Sequence, residues 1–322
     1  MWRYIVKRLL WLIIIVLCVA VLIFAVLWFV PGDPAKLILG TEASAADIEA
    51  LRERMGLNDP FIVQLGRFMR DIFLRLDFGT SYVYKVPVIQ EFGIRLPRTA
   101  LLGAISLVLN MVFGIPLGIL AAKHRNSVLD RGLLVVSMIF SSMPQFFFAL
   151  LMVVIFSVYL AWLPPFGIQY WYCWIMPVLA TSLSGIAMTA RHTRASVLET
   201  IRADFVTTAR AKGLDERVVT YKHMLPNALI PVISDLGMHL SGIIGGSVVI
   251  ETVFSFPGIG QYMLTGISSR DYPVVRGCVL ILATFSAIVM LIVDLAYAFV
   301  DPRIKAQYAA GSAKKTKKKE AA

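Results

Sequence analysis

At 322 residues, 58% of them apolar and 16% charged, with a mean hydropathy of +0.76, the chain is too hydrophobic for an ordinary soluble domain, and the bilayer is its expected solvent. The net charge of +11 does not indicate nucleic-acid binding, because the basic residues fall in short segments separated by long uncharged runs. Cys18, Cys173 and Cys278 form no CxxC or Cys/His ligand spacing and read as thiols in or near the membrane, with pairing of Cys173 and Cys278 left open.

Residues 9–30 carry no charge and follow Arg3, Lys7 and Arg8. The run is too long for the apolar core of a signal peptide, about 7–15 residues, and no small-x-small cleavage site precedes Pro31-Gly32, so it is expected to be a retained first span. The segment 31–98 is predicted to hold folded helices. Ser44 with Asp47 reads as a capping box opening a helix that Gly56 closes. A second helix is expected from Asp59-Pro60, with Ile62, Leu65, Phe68, Met69, Ile72, Phe73 and Leu76 on one face. That stripe suits packing on the membrane domain; a substrate or partner surface is the alternative.

Residues 99–122 form the second expected span. From 132 to 190 no Asp, Glu, Lys or Arg occurs, and one helix of that length would run roughly 90 Å, so two spans are predicted. Their connection is placed at Leu163-Pro164-Pro165-Phe166-Gly167, among the headgroup-level aromatics Trp162, Tyr170, Trp171, Tyr172 and Trp174. A fifth span is expected at 228–254 and a sixth at 277–300. The amino terminus and the 123–131 loop carry three Lys/Arg each, and the 191–227 loop and the tail carry seven each. The opposite loops 158–173 and 255–276 carry none and two, so both termini are expected in the cytoplasm and 31–98 outside. The expected fold is thus an all-α integral membrane protein of about six transmembrane helices. Residues 1–98 give the first helix plus an external helical segment, 99–304 a core of five helices, and 305–322 a basic tail. The tail's Lys314-Lys315-Thr316-Lys317-Lys318-Lys319 run is expected to be disordered, with contact to anionic membrane lipid as the alternative.

The 191–227 loop is the most informative stretch. Thr207, Thr208, Ala209, Arg210, Ala211 and Lys212 combine small residues with two cations and are halted by Gly213-Leu214, the pattern of a short helix with a left-handed stop. Taken alone, the stretch also fits an interfacial helix lying on headgroups. Acidic residues within spans are the other candidates, since charge in hydrocarbon normally faces a cavity or a partner. Asp235 and His239 share a helix face and either bond each other or line a pathway. Glu251, expected near a solvated outer mouth, either gates that mouth or bonds the following Pro-Gly loop. No GxxxxGK[ST] phosphate loop, HExxH or GxSxG occurs, so no enzyme is read here.

Thr208-Ala209-Arg210-Ala211-Lys212-Gly213-Leu214, with His223 and Leu225-Pro226-Asn227-Ala228 beyond it, closely resembles the cytoplasmic coupling loop of permeases in binding-protein-dependent ABC importers of the dipeptide/oligopeptide branch. In order along the chain, Phe29-Val30-Pro31-Gly32-Asp33-Pro34, Arg95-Leu96-Pro97-Arg98-Thr99, Glu251-Thr252-Val253-Phe254-Ser255-Phe256-Pro257-Gly258-Ile259-Gly260 and Val293-Asp294-Leu295-Ala296-Tyr297 through Asp301-Pro302-Arg303 resemble the same family. The broad importer pattern is Glu-Ala-Ala, three residues and Gly; here Thr207 and Thr208 replace its first two residues. The resemblance implies a type I importer permease in a bacterial or archaeal plasma membrane. The implied partners are a second homologous permease, two ABC ATPase subunits that hold the ATP and Mg, and an extracytoplasmic peptide-binding protein; no cofactor is implied for this chain. Related cargoes in the branch are nickel chelates, glutathione and oligosaccharides. A secondary transporter is the reading from another class.

Overall fold

The computed structural model describes residues 2–40 and 42–300, so the lysine tail and Asp301-Pro302-Arg303 lie outside the described residues. Helix α1 (Trp2–Phe29) is the first span and stops before Pro31. A cap of three helices follows: α2 (Pro34–Leu39), α3 (Ala45–Met55) and α4 (Phe61–Arg75). Asp33 caps α2 through the Ala35 amide at 3.1 Å and accepts 2.6 Å from the Arg52 guanidinium of α3, which holds its carboxyl below the usual carboxylate range. Ser44 caps α3, and Gly56 closes it at φ +65°, as the local pattern requires.

The apolar face of α4 is narrower than its sequence stripe. Phe68, Met69 and Ile72 pack with Ala20 of α1, but Ile62, Phe73 and Leu76 are exposed. Because α1 is approached from one side only, the residues at the margins of the stripe have nothing to cover them.

Helix α5 (Val88–Leu109) starts at Val88 rather than Thr99, carries an Arg95–Glu91 pair at 2.6 Å in its outer part, and continues through a π-helical turn, Asn110–Gly114, into α6 (Ile115–Lys123). The first of the two spans expected within 132–190 is interrupted rather than a single straight helix. Helices α7 (Val128–Ser142) and α8 (Gln145–Met152), the latter extended by a π-helical turn Val153–Tyr159, meet at 101°. Pro144 supplies the cause: it pushes Met143 out of helical geometry, to φ −83° and ψ 129°, and offers no N–H of its own.

After the Pro164-Pro165 connection come α9 (Ile175–Thr200), α10 (Asp204–Ala211), α11 (Glu216–Val218), a π-helical turn Val219–Met224, α12 (Leu225–Val253), α13 (Ile259–Ser268) and α14 (Tyr272–Val300). Helix α13 was not anticipated; the stretch 255–276 read as a loop. Among the described residues four helices are long and apolar enough to cross a membrane, and five if the bent pair counts as one span, against the about six expected. Helix α12, at 29 residues and ~43 Å, stands where the fifth span was expected.

Helix α9 is the hub, packed by α12, α6, α7 and α5. Its approach to α6 is so close that a Cβ on Gly118 would meet the Ala190 carbonyl. Helix α1 lies against α14, joined by Arg8 and Asp294 at 2.6 Å. Cys18, Cys173 and Cys278 are all free.

Asp130 of α7 is only 1% exposed and takes a two-pronged grip from Arg194 of α9, its second prong 2.8 Å long. Removing one partner strands the other charge. We expect Asp130→Ala to lower the unfolding free energy of the detergent-solubilised protein by about 3 kcal/mol, read as a fall in thermal midpoint; an unchanged midpoint would show the pair to be dispensable.

Candidate functional site

Helix α10 packs on the π-helical turn Val219–Met224 that leads into α12. Val206 and Ala209 are buried in one cluster with Ala122, Val197, Val219 and Met224, so one face of this short helix packs on α6, the end of α9 and the turn before α12. Asp204 in its first turn and Arg210 in its last complement the helix dipole. The chain then turns at Gly213, φ +75°, a conformation that penalises any side chain, with open space where a Cβ would stand. Arg210 closes the turn by donating to Glu216 at 2.6 Å, and Asp215 caps α11 through the Arg217 amide at 2.8 Å.

What remains outward is Thr207, Thr208, Arg210, Ala211, Lys212, Gly213 and Leu214. Phe205 and Tyr221 add exposed apolar surface beside them. The arrangement can transmit a push: it has a bonded turn, a fixed base and a free outer face.

Asp235 of α12 reaches across to a neighbouring helix. It meets His192 Nδ1 of α9 at 2.6 Å, a cross-helix contact invisible to sequence spacing, while the His239 side chain lies outside the described residues.

Glu251 is 0% exposed, which overturns the expectation that water solvates it. Oε1 accepts from the Thr99 hydroxyl of α5 at 2.7 Å, Oε2 from the Gln261 amide of α13 at 3.0 Å, and Thr99 itself accepts from the Ile259 amide at 3.0 Å. Side chains at Gly258 or Gly260 would run into this carboxylate or its helix, so the Pro-Gly-Ile-Gly loop wraps the acid with bare backbone. Phe254 and Phe256 seal it, Phe256 edge-on to Trp174 with ring centres 4.8 Å apart.

Sequence reasoning missed a cavity of about 190 Å³ at the break of the third span, lined by Asn110, Met143, Gln145, Thr181, Gly185 and Met188. Asn110 sits in the π-helical turn of the second span, fully buried, with neither side-chain polar atom partnered. The available signals were a lone amide inside an apolar run and Pro144 inside an uncharged one; neither states what faces what.

Glu251→Gln puts an amide where two donors converge, so one N–H is left without an acceptor. The expected cost is about 1–3 kcal/mol, measured as a lower thermal midpoint of the purified protein; unchanged stability combined with altered transport would restore the solvated-gate reading.

Two family profiles match the chain: "Binding-prot-dependent transport system membrane comp, N-term" over residues 1–103, and "Binding-protein-dependent transport system inner membrane component" over residues 114–306. A glutathione transport system permease protein of Pectobacterium atrosepticum is 41% identical over 305 residues, 95% of this chain and 99% of that protein. A dipeptide transport system permease protein of Alkalihalophilus pseudofirmus is 37% identical over 333 residues, 95% of this chain and 100% of that protein. Among solved structures, a chain of the MetNI methionine ABC transporter in an inward-facing conformation matches with a TM-score of 0.56, over 66% of this chain and 97% of that one, at 20% identity, a likeness of fold alone. The chain belongs to the inner-membrane components of binding-protein-dependent transport systems and has the fold of a type I ABC importer permease.

Proposed function

We propose that this permease carries dipeptides or oligopeptides into the cytoplasm, driven by two separate ATPase subunits, and that the turn from Thr207 to Leu214 is where their work enters. The observation that carries this reading is the rigid α10 with its exposed, Arg210-braced turn at Gly213. A helix fixed to α6, α9 and α12 follows the closure of an ATPase cleft as a body, whereas a slack loop would absorb it. ATP and Mg belong to those partners, and this chain supplies no phosphate loop.

A second homologous permease completes the pathway and an extracytoplasmic peptide-binding protein delivers cargo to the outer face, where the cap of 31–98 receives it. The core of 99–304 then passes it inward. The unpartnered Asn110 amide suits the pathway better than Glu251, whose carboxylate is spent on the outer loop. Asp235 and His239 remain pathway candidates on α12. Peptide cargo is supported by the relatives named for dipeptide and glutathione transport. Glutathione itself is the second reading, favoured by the 41% relative; the ligand of the cognate binding protein decides between them.

Gly213→Val costs roughly 1–2 kcal/mol in the left-handed turn and adds bulk to the docking face. The ATPase subunits are expected to copurify poorly, or to hydrolyse ATP without driving uptake. Normal attachment together with normal uptake would remove the coupling role.

The charge asymmetry supports a cytoplasmic side for both termini, the 123–131 loop and the α10 turn. Single cysteines introduced at 128 and 168 in a background lacking native cysteines should label from opposite faces of the membrane; labelling from one face would reverse the topology.

A further inference from the structure

The Phe29–Pro34 motif takes no part in the coupling turn or in the core cavity, yet it borders a second cavity of about 320 Å³. Phe24 and Trp28 at the end of α1 form one side, Asp33 and Arg52 of the cap another, and Tyr272 and Arg276 at the start of α14 a third. The site therefore lies at the seam between membrane span and polar cap, the depth of lipid headgroups.

Its polar groups are incompletely used. Tyr272 is 9% exposed, and its hydroxyl has no hydrogen-bond partner. Arg276 leans over the Phe68 ring at 5.0 Å, its Nε is buried without an acceptor, and among the described residues no carboxylate lies within ion-pair distance of it. Asp33 is engaged by Arg52, so the charged lining residues leave one net positive charge. An unpaired guanidinium and a stranded phenol are costly to bury, and an oxyanion satisfies both. Gly32 fits the same purpose: a side chain there would strike the Tyr272 hydroxyl.

The surroundings distinguish the source of that oxyanion. Leu17, Val21 and Trp28 form an exposed apolar stripe along the face of α1 that ends at the cavity, which Trp28 itself lines. An acyl chain fits such a stripe; a soluble carboxylate has no use for it. We propose that this cavity binds the phosphate of an outer-leaflet phospholipid, with Arg276 and Tyr272 donating to its oxygens and the acyl chains lying along α1. The lipid then joins the cap to α1 and α14, and the Pro-Gly-Asp-Pro motif is its outer rim.

The test is native mass spectrometry of the full-length protein, delipidated in detergent and titrated with phosphatidylglycerol. Wild type is expected to retain one tightly held phospholipid. Arg276→Gln should weaken that binding roughly tenfold, the loss of a charge-assisted bond, and Tyr272→Phe, which keeps the ring and its packing, should weaken it measurably. Gly32→Ala, which leaves both donors but crowds the hydroxyl, should do likewise. Lipid retention unchanged in both Arg276→Gln and Tyr272→Phe would overturn the proposal. So would displacement of the lipid by dialanine or glutathione, which would make the cavity a site for a soluble carboxylate. The readout is lipid mass on the protein and is independent of ATP coupling, so its failure leaves the transport reading untouched.

Discussion

A carboxylate with no exposed surface inside a membrane protein must find its donors within the protein, because hydrocarbon offers none. Glu251 finds them on α5 and α13 while itself standing on α12. The distant helix α5 is thereby fixed to the consecutive helices α12 and α13. The loop that follows has glycine where a side chain would displace the acid, and two buried phenylalanines where water would otherwise enter.

The same device recurs through the bundle. Asp130 takes Arg194 and ties α7 to α9; Asp235 takes His192 and ties α9 to α12; Asp294 takes Arg8 and ties α1 to α14. Each pair crosses between helices rather than bracing one helix internally. Apolar packing in lipid gives weak preference among neighbours, since lipid tails are as apolar as leucine, so polar pairs carry much of the specificity of which helix meets which. The Asp235–His192 pair joins α9 and α12 above the apolar cluster in which α10 is seated.

Two departures from regular helix lie beside the core cavity. The π-helical turn at Asn110 and the break at Pro144 both free backbone or side-chain polar groups in the middle of the membrane domain. Irregular backbone at that depth is tolerated where it borders a cavity or is covered by protein. Both border one cavity, whose lining includes the polar residues Asn110, Gln145, Thr181 and Ser184.

The sequence by itself determined that the chain is built of long apolar helices, and it determined the caps at Ser44 and Gly56, the Pro-Pro connection and the left-handed stop at Gly213. These depend on local composition, on helix length against bilayer thickness and on backbone freedom at single residues. It did not determine the inward turn of Glu251, the partner of Asp235, the break at Pro144 or the limits of the buried stripe on α4. Only the tertiary structure decided those, because each depends on what another helix presents across a gap. A buried acid and a solvated one have the same letter, and which it becomes is settled by the donors that packing brings within about 3 Å.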